Sequence, residues 1–204
     1  MIYCKKAKAF GFLAAVVVAA VMYGLPHSVT AGPQSKPPVV SMSKPNIIYI
    51  MLDEWGYFEW SAMGHPILET PNIDRLAAEG MRFTQFLAGA NVCAPTRSTL
   101  MTGQHTGHTT VRGNRGGAAL CADDITIADM LKDAGYVTGG FGKWGLGDAG
   151  TTGVPEKHGF DIFFGYYHQG HAHTYFPRYL VRNSEKVPLD GNTGDFLKGQ
   201  TFSH

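Results

Sequence analysis

The chain has 204 residues, of which 44% are hydrophobic and 16% are charged, and its formal net charge is +1. This composition excludes a disordered tail or a collagen-like fibre, because it supplies enough apolar material for a core. The 17 Lys and Arg residues are balanced by 16 Asp and Glu residues, which argues against a nucleic-acid partner. The length suits one domain or part of one.

The first 31 residues have the pattern of a secretory signal peptide. Lys5, Lys6 and Lys8 precede an uncharged apolar run from Phe10 to Leu25. This run is shorter than the roughly 18 to 20 residues that span a bilayer, which disfavours the alternative of a stable membrane anchor. Cleavage after Ala31 removes three lysines and no acids, so the formal charge changes from +1 to −2 and 173 residues remain. We therefore expect a secreted or periplasmic protein.

The folded region is expected to begin at residue 45. Residues 32–44 are rich in Pro, Ser and Lys without an apolar period, which is typical of a linker. The apolar run at 45–52 then suits a strand buried on both faces of a parallel sheet. Asp53 and Glu54 follow it directly. Because open α/β sheets bind ligands at the carboxyl ends of their strands, these acids are candidate metal ligands, although adjacent acids often mark a solvated strand end.

Helix and strand patterns alternate along the rest of the region. Each predicted helix has a start or a stop signal in its sequence, and a short apolar run typical of a strand follows it. This alternation predicts an α/β fold with a mainly parallel sheet flanked by helices, in a single domain over 45–204. The predicted elements are a helix between Thr70 and Gly80, a strand at 81–86, a helix at 124–134 and a strand at 136–142.

Two further segments carry candidate chemistry. Cys93 precedes Pro95, a residue well placed to begin a helix, so a nucleophile at 93 would face the positive end of the helix dipole. Arg97, one turn later, could reach back to the same point. Lys143 is flanked by glycines after a predicted strand and could contact an anion, although a lysine in such a loop is often merely solvated. The alternative for Cys93 is a disulfide with Cys121, as is common in secreted proteins.

Taken together, these segments resemble the sulfatase family of the alkaline phosphatase superfamily. The resemblance runs from Pro45 to the end of the chain. Its most specific element is CAPTR at 93–97, which matches the family signature Cys-x-Pro-Ser/Thr-Arg and continues as LMTG at 100–103. Supporting matches are PNII at 45–48, the acidic pair, TPNIDRLA at 70–77, GMRF at 80–83 and GKW at 142–144.

The resemblance implies a sulfuric ester hydrolase acting on aryl or carbohydrate sulfates. In such enzymes a formylglycine-generating or sulfatase-maturating enzyme oxidises the signature cysteine to formylglycine, so Cys93 would be a catalytic precursor and not a disulfide partner. One hydroxyl of the hydrated aldehyde attacks sulfur and expels the alcohol, and the other then expels sulfate. Asp53 and Glu54, with residue 93, would bind Ca²⁺ or Mg²⁺. Arg97 would hold the hydrate and Lys143 would contact the sulfate.

This chain departs from the family pattern at two positions near the expected site. Glu54 stands where many members have a second Asp, so its role as a ligand is less certain than that of Asp53. Gly145 stands where many members have His, so a catalytic histidine cannot be assigned there. Histidines elsewhere are candidates to compensate for it. They are His173 and His168, ranked ahead of His171, together with His105 and His108 after the nucleophile helix.

The length is a third departure, because family members have much longer chains with further metal and sulfate ligands downstream. With Asp53, Glu54 and residue 93 alone, Ca²⁺ would have about three of its usual six to eight ligands. We therefore expect the chain to correspond to the N-terminal portion of a sulfatase domain, poorly active and marginally stable by itself. Two alternatives stay open: a phosphodiester or phosphonate hydrolase of the same superfamily, and a non-catalytic remnant.

Overall fold

The computed structural model describes residues 44–114 and 117–192, which fall into two compact units, 44–54 and the residues from Trp55 onward. The predicted signal peptide and nearly all of the predicted linker lie outside the described residues and stay predictions. Within the described ranges, no helix is both long enough and apolar enough to cross a membrane.

A four-stranded mixed sheet forms the centre of the larger unit. Its strands are β1 (Gly139–Lys143), β2 (Ile162–Tyr166), β3 (Tyr179–Arg182) and β4 (Glu185–Pro188), and they lie in the order β1-β2-β3-β4. β1 and β2 pair in parallel, whereas β3 pairs antiparallel with β2 and β4 antiparallel with β3. The predicted α/β class is confirmed. The described sheet is parallel at β1 and β2 and gains an antiparallel hairpin from β3 and β4.

Among the described residues, four α-helices accompany the sheet: α1 (Pro71–Glu79), α2 (Cys93–Thr102), α3 (Ile127–Asp133) and α4 (Gln169–Ala172). Single 3-10 turns lie at Ser61–Met63 and Pro155–Lys157. The helix predicted between Thr70 and Gly80 is confirmed as α1. The helix predicted at 124–134 is confirmed as α3 with a later start.

The start of α3 is set by a capping box. The Thr126 hydroxyl accepts the backbone N–H groups of Ala128 and Asp129, and the Asp129 carboxylate accepts the Thr126 N–H at 2.8 Å. This satisfies the free donors of the first turn. Asp124, expected inside the helix, instead accepts the Cys121 N–H at 2.8 Å through its carboxylate, so it belongs to the preceding turn.

The core holds the loop after β1 in place. Trp144 is buried, its indole N–H donates to the Gly153 carbonyl at 2.7 Å, and its ring meets Phe160 edge to face at 5.5 Å. Its backbone N–H donates to the Tyr166 carbonyl at 2.8 Å, which continues the pairing of β1 with β2 by one residue. The residues on either side of Trp144 are therefore fixed relative to the sheet.

Two strand predictions were wrong. Residues 45–52 form no strand, and Ile48 and Ile50 are 85% and 73% exposed. Residues 81–86 form none either, and Phe86 is exposed. A strand is stable through pairing with a neighbour, which an apolar run does not guarantee, and neither segment takes part in the sheet. The strand predicted at 136–142 is present as β1, shifted toward the carboxyl end.

Candidate active site

The candidate site lies at the carboxyl ends of the two parallel strands. β1 ends at Lys143, which is paired in register with Tyr166 at the end of β2. The chain then passes through His168, which caps α4, into that short helix. Carboxyl ends of parallel strands are the usual ligand-binding edge of an α/β sheet. The topology therefore brings Lys143 next to the histidine-rich segment that contains α4.

Helix α2 contributes the predicted nucleophile and a cation. Cys93 is the first residue of α2 and carries a free thiol, so the alternative of a disulfide with Cys121 is excluded. Pro95 is tolerated in the first turn, where a backbone N–H has no partner within the helix. Arg97, one turn after Cys93, is 8% exposed, and its guanidinium donates to the backbone carbonyl of Lys143. This bond joins the start of α2 to the end of β1.

Lys143 and His173 contact each other through their side chains. The ammonium nitrogen of Lys143 lies 3.4 Å from Nε2 of His173. His173 follows α4 directly and donates its backbone N–H to the Gln169 carbonyl at 3.2 Å, which fixes its backbone relative to the helix. The contact therefore sets an imidazole nitrogen beside the cation at the end of β1.

Asn114 belongs to the site and was not found from the sequence. Its Oδ1 atom accepts the Ala94 N–H at 2.9 Å and a Gln169 side-chain N–H at 3.1 Å. Its Nδ2 atom lies 3.9 Å from the sulfur of Cys93. Carboxamides carry no motif or periodicity of their own, so nothing in the pattern marked them. With the first turn of α2, which joins Cys93 to Arg97, these contacts form a closed ring. Its members are Cys93, Asn114, Gln169, His173, Lys143 and Arg97.

His168 and His171 occupy different environments from His173. His168 accepts a backbone N–H of α4 through Nδ1, which caps that helix, while its Nε2 lies 3.9 Å from the Asp148 carboxylate. The His171 ring packs between Tyr166 and Tyr179, with centroids 5.2 and 4.6 Å away. Burial there lowers the pKa of His171, since it disfavours the charged imidazolium. These contacts suit a capping role for His168 and a packing role for His171.

His105 and His108 lie in the turn after α2. Their ring centroids are 6.3 Å apart, and the ring planes are inclined at 65°. His105 accepts the Gly107 N–H at 3.0 Å through Nδ1, and its carbonyl accepts the His108 N–H at 2.7 Å. Of the five histidine candidates, His173 is thus the one that the structure brings to Lys143.

The predicted metal ligands belong to the other unit. Asp53 and Glu54 are exposed at the end of the 44–54 segment, and Glu54 has a positive φ of 59°. Across residues 44–114 and 117–192, no group of three or more His, Cys, Asp or Glu side chains is arranged to hold a metal ion. Because Ca²⁺ takes six to eight oxygen ligands, these residues do not form a calcium centre by themselves.

The comparison with known families agrees with the site. The profile of the Sulfatase family matches residues 45–197, which is three quarters of the chain and includes every residue of the ring. The chain therefore belongs to the sulfatase family.

Individual relatives support the same assignment. Human arylsulfatase D is 38% identical over 144 residues, which cover 64% of this chain and 24% of that protein. A protein solved in work on glycosaminoglycan metabolism by Bacteroides thetaiotaomicron, BT33336S-sulf, is 36% identical with a TM-score of 0.60, covering 73% of this chain and 33% of its own. BT4656, solved with its substrate D-glucosamine-2-N,6-O-disulfate, is 27% identical with a TM-score of 0.59, covering 72% and 28%. The chain spans about a quarter of the length of the curated relatives it matches.

Proposed function

We propose that this chain carries the nucleophile side of a sulfuric ester hydrolase that cleaves aryl or carbohydrate sulfates to alcohol and sulfate. The observation that supports it most is the closed ring of contacts around Cys93, which gathers two cations, an imidazole and a helix N-terminus at one sheet edge. A sulfate ester carries negative charge that grows on the leaving oxygen in the transition state. Cations fixed in advance at that point are the natural catalysts.

We propose that Cys93 is converted to formylglycine by a formylglycine-generating or sulfatase-maturating enzyme. The hydrated aldehyde supplies the attacking oxygen and, through its second hydroxyl, a route to release sulfate. The free thiol at the start of α2 suits a residue that is modified rather than cross-linked. Mass spectrometry of the peptide containing residue 93, after co-expression with such an enzyme, measures the aldehyde directly. An unmodified thiol there would favour the non-catalytic alternative.

Arg97 and Lys143 would bind the anion. Arg97 is nearly buried and held by the Lys143 carbonyl, so its charge is presented in one orientation. A guanidinium offers several N–H donors in a plane, which match the oxygens of a tetrahedral anion. Lys143 adds a compact charge on the neighbouring strand end. Together with the helix dipole they neutralise the sulfate without a basic protein surface.

His173 would act as the general acid in place of a histidine at position 145. The contact of Nε2 with the Lys143 ammonium at 3.4 Å supports this role, because it sets the imidazole beside the cation that would hold the sulfate. The negative charge of a bound sulfate ester favours the protonated imidazole. Protonated His173 can then give its Nε2 proton to the leaving oxygen, while Lys143 stays at the sulfate oxygens.

We propose Asp53 and Glu54 as carboxylate ligands for Ca²⁺, with Mg²⁺ as the alternative. Calorimetric titration with CaCl₂ tests the assignment, because Asp53→Asn should weaken binding by removing a charge. Asp190→Asn, which removes a carboxylate outside the family motifs, is the matched control.

The hydrolase proposal is tested with a panel of aryl sulfate, aryl phosphate and phosphodiester substrates. The matured protein should release inorganic sulfate, and Cys93→Ala should release none while melting at the wild-type temperature. Preference for the phosphodiester would favour the alternative activity. Turnover by the folded Cys93→Ala variant would refute the assignment of residue 93.

We also propose export from the cytoplasm to the outside or the periplasm. The basic start and apolar run of the first 31 residues support it. N-terminal sequencing of the exported product should begin at Gly32, and a product that starts at Met1 would contradict it.

A further inference from the structure

Gly145 has no side chain, and Gln169 occupies the space that a side chain there would need. A Cβ atom added at Gly145 would lie 2.9 Å from Cγ of Gln169 and 3.5 Å from its Oε1. The backbone of Gly145 has φ +74°, a conformation that glycine adopts without cost. Both the close approach of Gln169 and the positive φ therefore favour glycine at position 145. The carboxamide of Gln169 faces the site where a side chain at position 145 would otherwise lie.

The Gln169 carboxamide continues directly to Asn114. Its Nε2 donates to Oδ1 of Asn114 at 3.1 Å, and the same Oδ1 accepts the Ala94 N–H at 2.9 Å. Because two N–H donors converge on Oδ1, the Asn114 carboxamide is fixed in one of its two orientations. Its NH₂ group is then the group that faces Cys93, with Nδ2 at 3.9 Å from the sulfur.

We propose that Asn114 and Gln169 are positioning residues for residue 93, with Gln169 orienting Asn114 and Asn114 directing an N–H donor at the nucleophile. The role in hydrolysis rests on the proposed function. The donor is equally present beside the unmodified thiol of Cys93. The arrangement can therefore be measured on the protein before any maturation and without turnover.

The experiment measures the alkylation rate of Cys93 by iodoacetamide at one fixed pH, quantified by mass spectrometry of the peptide containing it. Iodoacetamide is neutral, so a new charge near the sulfur does not repel the reagent. Asn114→Asp keeps the acceptor for Ala94 and Gln169 but replaces the donor by a carboxylate. The variant should be alkylated about fivefold more slowly than wild type, because the N–H donor that faces the sulfur is gone and a carboxylate stands in its place.

Asn183→Asp is the matched control. The Asn183 carboxamide is also doubly bonded, accepting the Phe163 N–H at 2.7 Å and donating to the Asp161 carbonyl at 3.1 Å, but it lies in the turn between β3 and β4. It should leave the alkylation rate unchanged. A general loosening of the fold would raise the rate because it exposes the thiol, whereas loss of the donor lowers it, so the two effects differ in sign. An unchanged rate in Asn114→Asp, or an equal fall in Asn183→Asp, overturns the inference.

Gln169→Met tests whether Gln169 acts through Asn114. Methionine has a similar length but no donor, so the Asn114 carboxamide loses one of its two fixed contacts. Alkylation should slow by about twofold in the wild-type background and should not slow further in Asn114→Asp. If the two substitutions slowed alkylation additively in the double variant, Gln169 would not act through Asn114. If the matured wild-type protein hydrolysed no sulfate ester, the proposed function would be refuted, but the alkylation result for Cys93 would still stand.

Discussion

The ammonium nitrogen of Lys143 and Nε2 of His173 lie 3.4 Å apart although 30 residues separate them in the chain. The parallel pairing of β1 with β2 creates this contact, because it sets Lys143 opposite Tyr166 and the chain turns into α4 just beyond. The fold thereby sets an imidazole beside the ammonium group at the end of β1, although position 145 is a glycine. In the proposed function this imidazole is the proton donor and the ammonium group binds the anion.

His173→Ala should lower kcat for aryl sulfate hydrolysis by about 10²- to 10⁴-fold, as expected for loss of a general acid. The limb of the pH profile that reports the acid should disappear with it. Substrates with a good leaving group, such as a nitrophenyl sulfate, should lose less than alkyl sulfates, since their leaving oxygen needs less protonation. Steady-state kinetics over both substrate classes measure the difference.

His105→Ala is the control for this prediction. His105 lies after α2, where its ring contacts Gly107 and His108. The variant should retain kcat within about threefold of wild type. Equal losses in the two variants, or an unchanged profile in His173→Ala, would contradict the role assigned to His173.

The pH dependence of stability should include a contribution from Asp161. A hydrogen bond from Lys132, at 2.7 Å, and bonds from Thr138 lower the pKa of Asp161 to about 2 from 3.8. A carboxylate with a lowered folded pKa stabilises the fold above the unfolded pKa, and this stabilisation is lost as pH falls through the folded value. Asp161→Asn should have a lower free energy of unfolding than wild type at neutral pH. The difference between the two free energies should narrow from about pH 4 to about pH 2.

Urea unfolding at a series of pH values measures the difference in free energy of unfolding between wild type and Asp161→Asn. Asp133→Asn removes an exposed carboxylate at the end of α3 and serves as the control. Its difference from wild type should change less over the same pH range. A gap for Asp161→Asn that widens on acidification would show that the ion pair does not stabilise the fold.

The sequence marked part of the candidate site because a motif fixes residue types at fixed spacing. CAPTR pointed to Cys93 and Arg97, and GKW pointed to Lys143. His173 came from a histidine-rich loop, which names several candidates and cannot choose among them. The choice needed the register of β1 with β2. No sequence pattern identified Asn114 or Gln169 as site residues, because the role of a carboxamide depends on the neighbours that orient it.

Helices were predicted better than strands for a physical reason. A helix satisfies its own backbone, so local signals such as the proline of α1 and the capping residues of α3 were sufficient. A strand depends on partners distant in the chain. The apolar runs at 45–52 and 81–86 show which residues favour burial, but apolar character does not specify a partner.

The pairing of β1 with β2 should depend on glycine at position 165. Gly165 is in register with Gly142, and a Cβ atom added at 165 would lie 2.0 Å from the Gly142 carbonyl oxygen. Backbone atoms cannot move aside as a flexible side chain can. Gly165→Ala should lower the free energy of unfolding by about 1 to 3 kcal/mol, the range of overpacking. Chemical denaturation measures it.

Gly113→Ala is the matched substitution, because a Cβ atom added there meets no atom within 4 Å. Its free energy of unfolding should stay within about 0.5 kcal/mol of wild type. Equal free energies of unfolding for the two variants would mean that β1 and β2 leave space for a Cβ atom at position 165.

The Tyr167 hydroxyl should stabilise the link between the β2 end and the turn after β3. It donates to the Glu156 carboxylate and accepts the Ser184 N–H at 2.7 Å. Burial, together with the Glu156 hydrogen bond, raises the pKa of Tyr167 to about 12 from 10.0. Tyr167→Phe keeps the ring against Phe163 but removes both bonds, and should cost about 1 to 2 kcal/mol at neutral pH.

The sign of the pH dependence follows from the raised pKa. A group whose folded pKa exceeds its unfolded value stabilises the fold fully below the unfolded pKa, and this stabilisation is lost as pH rises through the folded one. The difference in free energy of unfolding between wild type and Tyr167→Phe should therefore narrow between about pH 10 and about pH 12. Tyr57→Phe, at an exposed tyrosine, should show no such narrowing. A gap that stays constant to the highest pH at which the protein folds would contradict the burial of the Tyr167 hydroxyl.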